Sequence, residues 1–239
     1  MGVVLRLSVA ILGALAATAA APTRAPVLVE LFTSEGCSSC PPADRVLEAL
    51  DAQAIVLSEH VDYWDHQGWR DPWSSRASTL RQEAYARQLG KQGPYTPQMV
   101  IDGRVEFNGS DGRRALDEIA NARAREKAEI HLTRSESGVE IAIDAAPHAG
   151  KVYMATAQES AESQVKGGEN NGRRLRHVSI LRSLKRVGVV KKGAGFRGTA
   201  EVPADAGRVI VFLQDGDAGA VYGAAVVEFR PQMNADGRR

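Results

Sequence analysis

The chain has 239 residues, a formal net charge of +1 and two cysteines. Near-balanced charge supplies no basic footprint for nucleic acid or an anionic membrane surface. The length suits one large domain or two small ones.

Residues 1–21 read as an export signal. Arg6 carries the positive charge, Leu7 to Ala17 is a short apolar stretch, and Thr18-Ala19-Ala20-Ala21 offers small residues for cleavage. Pro22 would hinder a cut directly after Ala21. A membrane span needs about 20 apolar residues, more than this run supplies. An uncleaved anchor is the alternative, and no later segment could span a membrane. The expected location is periplasmic or secreted, where oxidising conditions let a disulfide persist.

The apolar run Val27–Phe32 reads as a buried strand. Cys37-Ser38-Ser39-Cys40 follows, then a helix over Ala43–Ala52. Ala54–Val61 is a second strand, and Asp62–Trp73 a polar, aromatic loop. Ser74–Leu89 is helical, with Ser74 or Ser75 as N-cap and Gly90 at its end. Gln98–Asp102 and Val105–Phe107 flank Asp102-Gly103, a hairpin-turn pair. Ser110 or Asp111 caps a last helix over Gly112–Lys127. This alternation argues for a central sheet covered by helices over residues 22–128.

From residue 129 the pattern changes to strands. They are Glu129–Thr133, Val139–Asp144, Lys151–Ala157, Arg174–Leu184, Gly198–Val202, Arg208–Gln214 and Val221–Phe229. Turn residues separate them at Ser137-Gly138, Pro147 to Gly150, Gly167-Gly168, Gly193 to Gly195 and Asp215 to Asp217. Short strands at this spacing predict a β-sandwich-like antiparallel domain over 129–232, with a disordered tail over 233–239.

A thiolate is the attacking species in disulfide exchange, and a helix N-terminus makes a thiol more acidic. Cys37 is therefore expected to face solvent as the nucleophile, with Cys40 one turn later and more buried, resolving the mixed disulfide. A disulfide closing a loop of about four residues stabilises by only about 2 kcal/mol, which makes a purely structural staple a poor use of the pair. Pro41 and Pro42 limit the first helical turn, so a looser turn or a later helix start is expected. Ser38-Ser39 lacks a histidine to stabilise a thiolate, which argues against a very strong oxidant.

Tyr95-Thr96-Pro97-Gln98-Met99 puts a proline at the start of a strand that leads into a hairpin. This resembles the thioredoxin fold, in which a cis-proline there lies beside the cysteine pair and holds substrate backbone; an ordinary trans turn is the alternative. Further motifs are the stretch Glu30 to Asp44, His60-Val61-Asp62-Tyr63-Trp64-Asp65, Gly68-Trp69-Arg70-Asp71-Pro72, and Gly168 to Arg173 with Leu175 and His177. Together these resemble the exported thioredoxin-like family catalogued as domain of unknown function 1223, over nearly the whole chain after residue 21. The resemblance implies a thioredoxin-like fold and export, and brings no settled substrate.

The expected architecture is thus α/β: a thioredoxin-like sheet with flanking helices, then the β-rich domain. The expected function is thiol–disulfide exchange by Cys37 and Cys40, with Thr96 and Pro97 holding substrate and Glu30 or His60 moving protons. Glu30 is alternatively a surface carboxylate, and His60 a structural histidine. Two other functions remain open. One is a copper or zinc carrier using Cys37, Cys40, His60 and His66, whose spacing is within reach of a zinc set. The other is a non-catalytic binding module with a redox-sensitive disulfide. Tyr63, Trp64, Trp69 and Trp73 form either an aromatic wall for a client or an anchor for their loop. Arg173, Arg174, Arg176 and His177 read as a solvated strand face, and Glu169 to Gly172 as a turn that joins the binding cleft if it packs over the cysteines. No flavin, nicotinamide or nucleotide motif is present, so no cofactor is expected. Electrons would come from a redox partner protein or small thiols, the substrate being a protein or small-thiol disulfide.

Overall fold

The computed structural model describes residues 25–136 and 138–229. The expected signal over 1–21, the tail over 233–239 and Ser137 lie outside the described residues. Among the described residues, no helix is long and apolar enough to cross a membrane.

The elements run β1 (Leu28–Thr33), α1 (Pro41–Leu50), β2 (Ile55–His60), α2 (Arg76–Gln88), β3 (Gln98–Ile101), β4 (Val105–Asn108) and α3 (Gly112–Arg123). They continue as β5 (Ile130–Ser135), β6 (Gly138–Ile143), β7 (Gly150–Gln164), β8 (Arg174–Val190), β9 (Phe196–Glu201), β10 (Arg208–Gln214) and β11 (Val221–Glu228). The helices and turns form where local chemistry favours them. Ser75 accepts from Ser78 N–H at 3.1 Å, and Asp111 accepts from Arg114 N–H at 3.0 Å, capping α2 and α3. Asp102 and Gly103 turn the chain between β3 and β4 with φ of 47° and 62°. Helix α1 starts at Pro41, earlier than the expected Ala43. Both prolines occupy its first turn, where the missing N–H has no intrahelical partner to lose.

Eight strands form one mixed sheet in the order β11-β10-β7-β8-β2-β1-β3-β4. Strand β1 is buried along its whole length because both faces are covered. Val29 and Leu31 face α1 and α3, where Ala43, Leu47, Ala115 and Ile119 pack on them. Phe32 faces the other way, onto Tyr85 of α2. Each fully buried Leu or Phe in these layers contributes about 1.5–3 kcal/mol.

The C-terminal half joins this sheet through one parallel bridge, Ser58 to Ile180. Strands β7 and β8 form a hairpin of 15 and 17 residues, longer than the sequence suggested. Their outer ends carry polar residues such as Glu159 to Gln164, which hide a strand from an apolar reading. The remaining strands make a three-stranded antiparallel sheet, β5-β6-β9. Its Val139, Ile141 and Ile143 pack against Val152, Met154, Val209 and Val211 of the large sheet.

Candidate functional site

Cys37 and Cys40 form a disulfide, with Cα atoms 5.4 Å apart. Two successive turns lead into α1: Cys37 N–H donates to Ser34 O at 3.2 Å, and Cys40 N–H to Cys37 O at 3.1 Å. Cys40 is the N-cap of the helix. Both cysteines are 0% exposed, whereas Ser38 and Ser39 between them are exposed. The expectation that Cys37 faces solvent is therefore corrected. Its cover comes from elements distant in sequence.

The turn between β7 and β8 packs over the cysteine loop. Asn170 Nδ2 donates to the carbonyls of Glu35 and Cys37 at 2.8 and 2.9 Å, and Glu169 Oε2 accepts from Ser38 N–H at 2.9 Å. The aromatic loop closes another side. Trp64 lies against Gly36, whose added Cβ would stand 3.0 Å from Trp64 Cβ. Trp64 Nε1 donates to Thr96 Oγ1 at 2.8 Å. Trp69 Nε1 donates to Glu35 Oε2 at 2.7 Å. Trp73 packs edge-on against His60 and His177, at 5.6 and 5.3 Å between ring centres. Each tryptophan is half-buried and bonds or packs to an internal partner, which anchors its loop.

Beside the cysteine loop lies a buried cluster of ionisable groups. Glu35 Oε1 meets His177 Nε2 at 3.3 Å and accepts from Ser163 Oγ. His177 Nδ1 lies 3.7 Å from Asp44 Oδ2, an ion-pair distance, and Thr33 Oγ1 donates to Asp44 Oδ1 at 2.9 Å. Asp71 Oδ2 accepts from Glu35 N–H at 2.8 Å and sits 2.7 Å from His60 Nδ1. A carboxylate only accepts, so Nδ1 of His60 carries the proton. The rings of His60 and His177 are 4.6 Å apart. Burial alone would lower the pKa of His177, but Asp44 and Glu35, with the charge of Asp71, outweigh it and raise the value to about 10. Burial would raise Asp71, yet His60 and the N–H groups of Glu35 and Trp73 bring it down to about 2.

Of the residues expected to act together, Cys37, Cys40, Thr96 and Pro97 share this end of the sheet. The Thr96–Pro97 peptide is cis. Pro97 lies on the α1 side: a Cβ on Gly109 would stand 3.1 Å from Ala43 Cβ and 3.5 Å from Pro97 Cβ. His60 is fully buried and held by Asp71, and its Nε2 has no hydrogen-bond partner among the described residues. Glu30 is placed elsewhere, and its expected role beside Cys40 is corrected. It faces α2 on the opposite side of the sheet, with Arg81 Nε at 2.7 Å and Tyr85 Oη at 2.5 Å. The set Cys37, Cys40, His60 and His66 is not assembled either. Both sulfurs are spent on the disulfide, His60 is committed to Asp71, and His66 is exposed on its loop. Among the described residues, ligand atoms of Glu129, His131 and Asp144 do lie within 4.8 Å of one another, all three residues being exposed.

Sequence reasoning missed Glu35 and Asp71 as site residues and read His177 as part of a solvated face; it placed Asn170 in a turn that joins the cleft if it packs over the cysteines, and that turn does pack there. Glu35 stands two positions before Cys37, and Asn170 and His177 lie within a segment whose likeness to the family was visible. Their partners are more than 130 positions away, beyond any local pattern.

Fold and site together define a mixed α/β protein with a Cys-x-x-Cys disulfide at a helix N-terminus, covered by a β-hairpin. The chain belongs to the family described as protein of unknown function (DUF1223), whose pattern matches residues 28–214. It is similar to the X-ray crystal structure of protein AGR_C_4864 from Agrobacterium tumefaciens, at 30% identity and a TM-score of 0.79, over 87% of this chain and 96% of that one. It shares its fold more distantly with HBP35 of Porphyromonas gingivalis, at 13% identity and a TM-score of 0.55, over 88% of this chain and 78% of that one. A search of curated proteins returned no match.

Proposed function

We propose that this chain is an exported, thioredoxin-like thiol–disulfide oxidoreductase acting through Cys37 and Cys40. The observation that carries the reading is the position of the disulfide, which closes immediately before α1 and next to a buried Glu35–His177–Asp44 cluster. So short a loop contributes only about 2 kcal/mol as a staple. Burying several ionisable groups is costly, and such groups concentrate where a fold manages protons.

In the reduced protein, Cys37 thiolate attacks one sulfur of a client disulfide. The client S–S bond breaks, its other sulfur leaves as a thiolate and takes a proton, and a mixed disulfide remains. Cys40 then gives up its proton and attacks Cys37 Sγ, which releases the second client sulfur and restores the Cys37–Cys40 bond. The client gains two electrons. An external dithiol returns the pair to its reduced form. The helix N-terminus favours the thiolate at each stage. In this reading Thr96 and Pro97 hold the client backbone, and the protein works in the periplasm or outside the cell.

The test is the reduction potential of the pair, by thiol labelling across a redox buffer series. A value above about −270 mV places it among working oxidoreductases. A value below about −300 mV marks a structural bond and ends the proposal. Cys37→Ser should also abolish reduction of a model disulfide.

A further inference from the structure

The β7–β8 turn, residues 165–173, reaches the cysteine loop from the far half of the chain. Two kinds of contact hold it there. The first is polar. Fully buried Asn170 bonds the carbonyls of Glu35 and Cys37, Arg173 Nη1 donates to Asn170 Oδ1 at 2.7 Å, and Glu169 bonds Ser38 N–H. The second is steric. A Cβ on Gly167 would stand 2.1 Å from the carbonyl oxygen of Gly68, and one on Gly168, at φ +67°, 3.3 Å from that of Gln67. Only glycine lets the turn sit this close to the aromatic loop.

Under this turn, Cys37 is 0% exposed. The rate of disulfide exchange depends on access to the attacked sulfur. A small thiol brings little more than its own sulfur and needs only a small opening. A folded protein must lay the chain around its cysteine over Cys37 and Ser38, where Glu169 and Asn170 already bind. The outer contact is an exposed one between Glu169 and a backbone N–H, of the kind that opens easily.

We infer that the β7–β8 turn is a gate over Cys37 that admits small thiols and holds back protein thiols until the Glu169 and Asn170 contacts release. This rests on the pair being redox-active, as proposed above, although the gate itself can be measured whether or not that holds.

The experiment compares two reductants of the oxidised protein, dithiothreitol and reduced thioredoxin, by the rate at which Cys37 and Cys40 become free to label. In each reaction the reductant's two thiols close to a disulfide as the Cys37–Cys40 bond opens to two thiols. Two altered proteins open the gate differently. Glu169→Ala with Arg173→Ala removes two exposed side chains that hold the turn, one through Ser38 N–H and one through Asn170 Oδ1. Gly167→Ala forces the turn off its seat. The gate predicts that the ratio of thioredoxin-driven to dithiothreitol-driven rate rises about threefold or more in the double variant, because access limits only the larger reductant. A smaller rise in a folded double variant overturns it. Gly167→Ala, where it folds, must move the ratio the same way. The reduction potential of the same samples separates the two readings. A structural potential with a changed ratio removes the redox function and leaves the gate, and a working potential with an unchanged ratio removes the gate alone.

Discussion

His177 and Glu35 are separated by 142 positions, yet meet inside the protein with Nε2 and Oε1 3.3 Å apart and neither side chain more than 1% exposed. The contact ties β8 to the loop that carries the cysteines. It also sets a charge where water cannot reach it, so the pair depends on protonation.

His177 should therefore make stability depend on alkaline pH. Its folded pKa of about 10 lies above the value of 6.5 expected when unfolded. A histidine raised in this way contributes fully below its unfolded pKa and loses that contribution as pH rises to its folded pKa. The difference in unfolding free energy between the protein and His177→Gln should be largest near pH 6 and shrink towards pH 10. Urea unfolding at pH 6, 8 and 10 measures it, and a difference that does not change with pH would sink the assignment.

Asp71 has the opposite sign. Burial opposes its ionisation, but His60 and two backbone N–H groups hold its pKa at about 2, below its ordinary 3.8. A depressed carboxylate contributes above its unfolded pKa and loses that contribution as pH falls to the folded value. Asp71→Asn should cost on the order of 2 kcal/mol at pH 6 and progressively less below pH 4. Parallel acid-unfolding curves for the two proteins would contradict this.

The parts of this molecule legible in sequence are those encoded by neighbours in the chain. Val27–Phe32, the cysteine pair and the following amphipathic run gave a strand, a turn and a helix in that order. Asp102-Gly103 marked a hairpin turn that has positive φ at both positions. What stayed hidden depends on pairings across the chain. The single bridge of Ser58 to Ile180 carries the helix-covered sheet into the C-terminal strands, and no periodicity announces it. The carbonyl of buried Cys37 is bonded by Asn170, 133 positions later. Glu30 seemed available to Cys40 because strand alternation gives a side chain two possible faces and not the choice between them. The choice follows from Arg81 and Tyr85 of α2, which face Glu30 across the sheet.

Gly103 should be intolerant of any side chain. It has φ +62°, and an added Cβ would stand 2.1 Å from the carbonyl oxygen of Gly219. That contact is where the β3–β4 turn meets the β10–β11 loop, and Val221 N–H donates to Asp102 O at 2.8 Å beside it. A left-handed conformation and an overpacked backbone contact together cost about 2 kcal/mol or more. Thermal unfolding of Gly103→Ala should fall by about 4–8 °C, and an unchanged midpoint would show that the two loops separate freely.

The second buried cluster, on the α2 face, has one cation for two carboxylates. Arg81 pairs with Glu30 at 2.6 Å and with Glu59 at 3.3 Å, and all three side chains are buried. Burial pushes the pKa of Glu59 well above its ordinary value of 4.5; Arg81 opposes the rise and Glu30 adds to it. An acid raised in this way stabilises the fold below its unfolded pKa and loses that contribution as pH climbs. Glu59→Gln removes the titration, so its stability relative to the unaltered protein should improve steadily from pH 5 to pH 9. Arg81→Met should do the reverse and cost about 3–5 kcal/mol at neutral pH, because it leaves two buried carboxyl groups without the cation that pairs with them. If Glu59→Gln and the unaltered protein followed the same stability curve, Glu59 would have to be ionised already, and Arg81 would be serving both carboxylates equally.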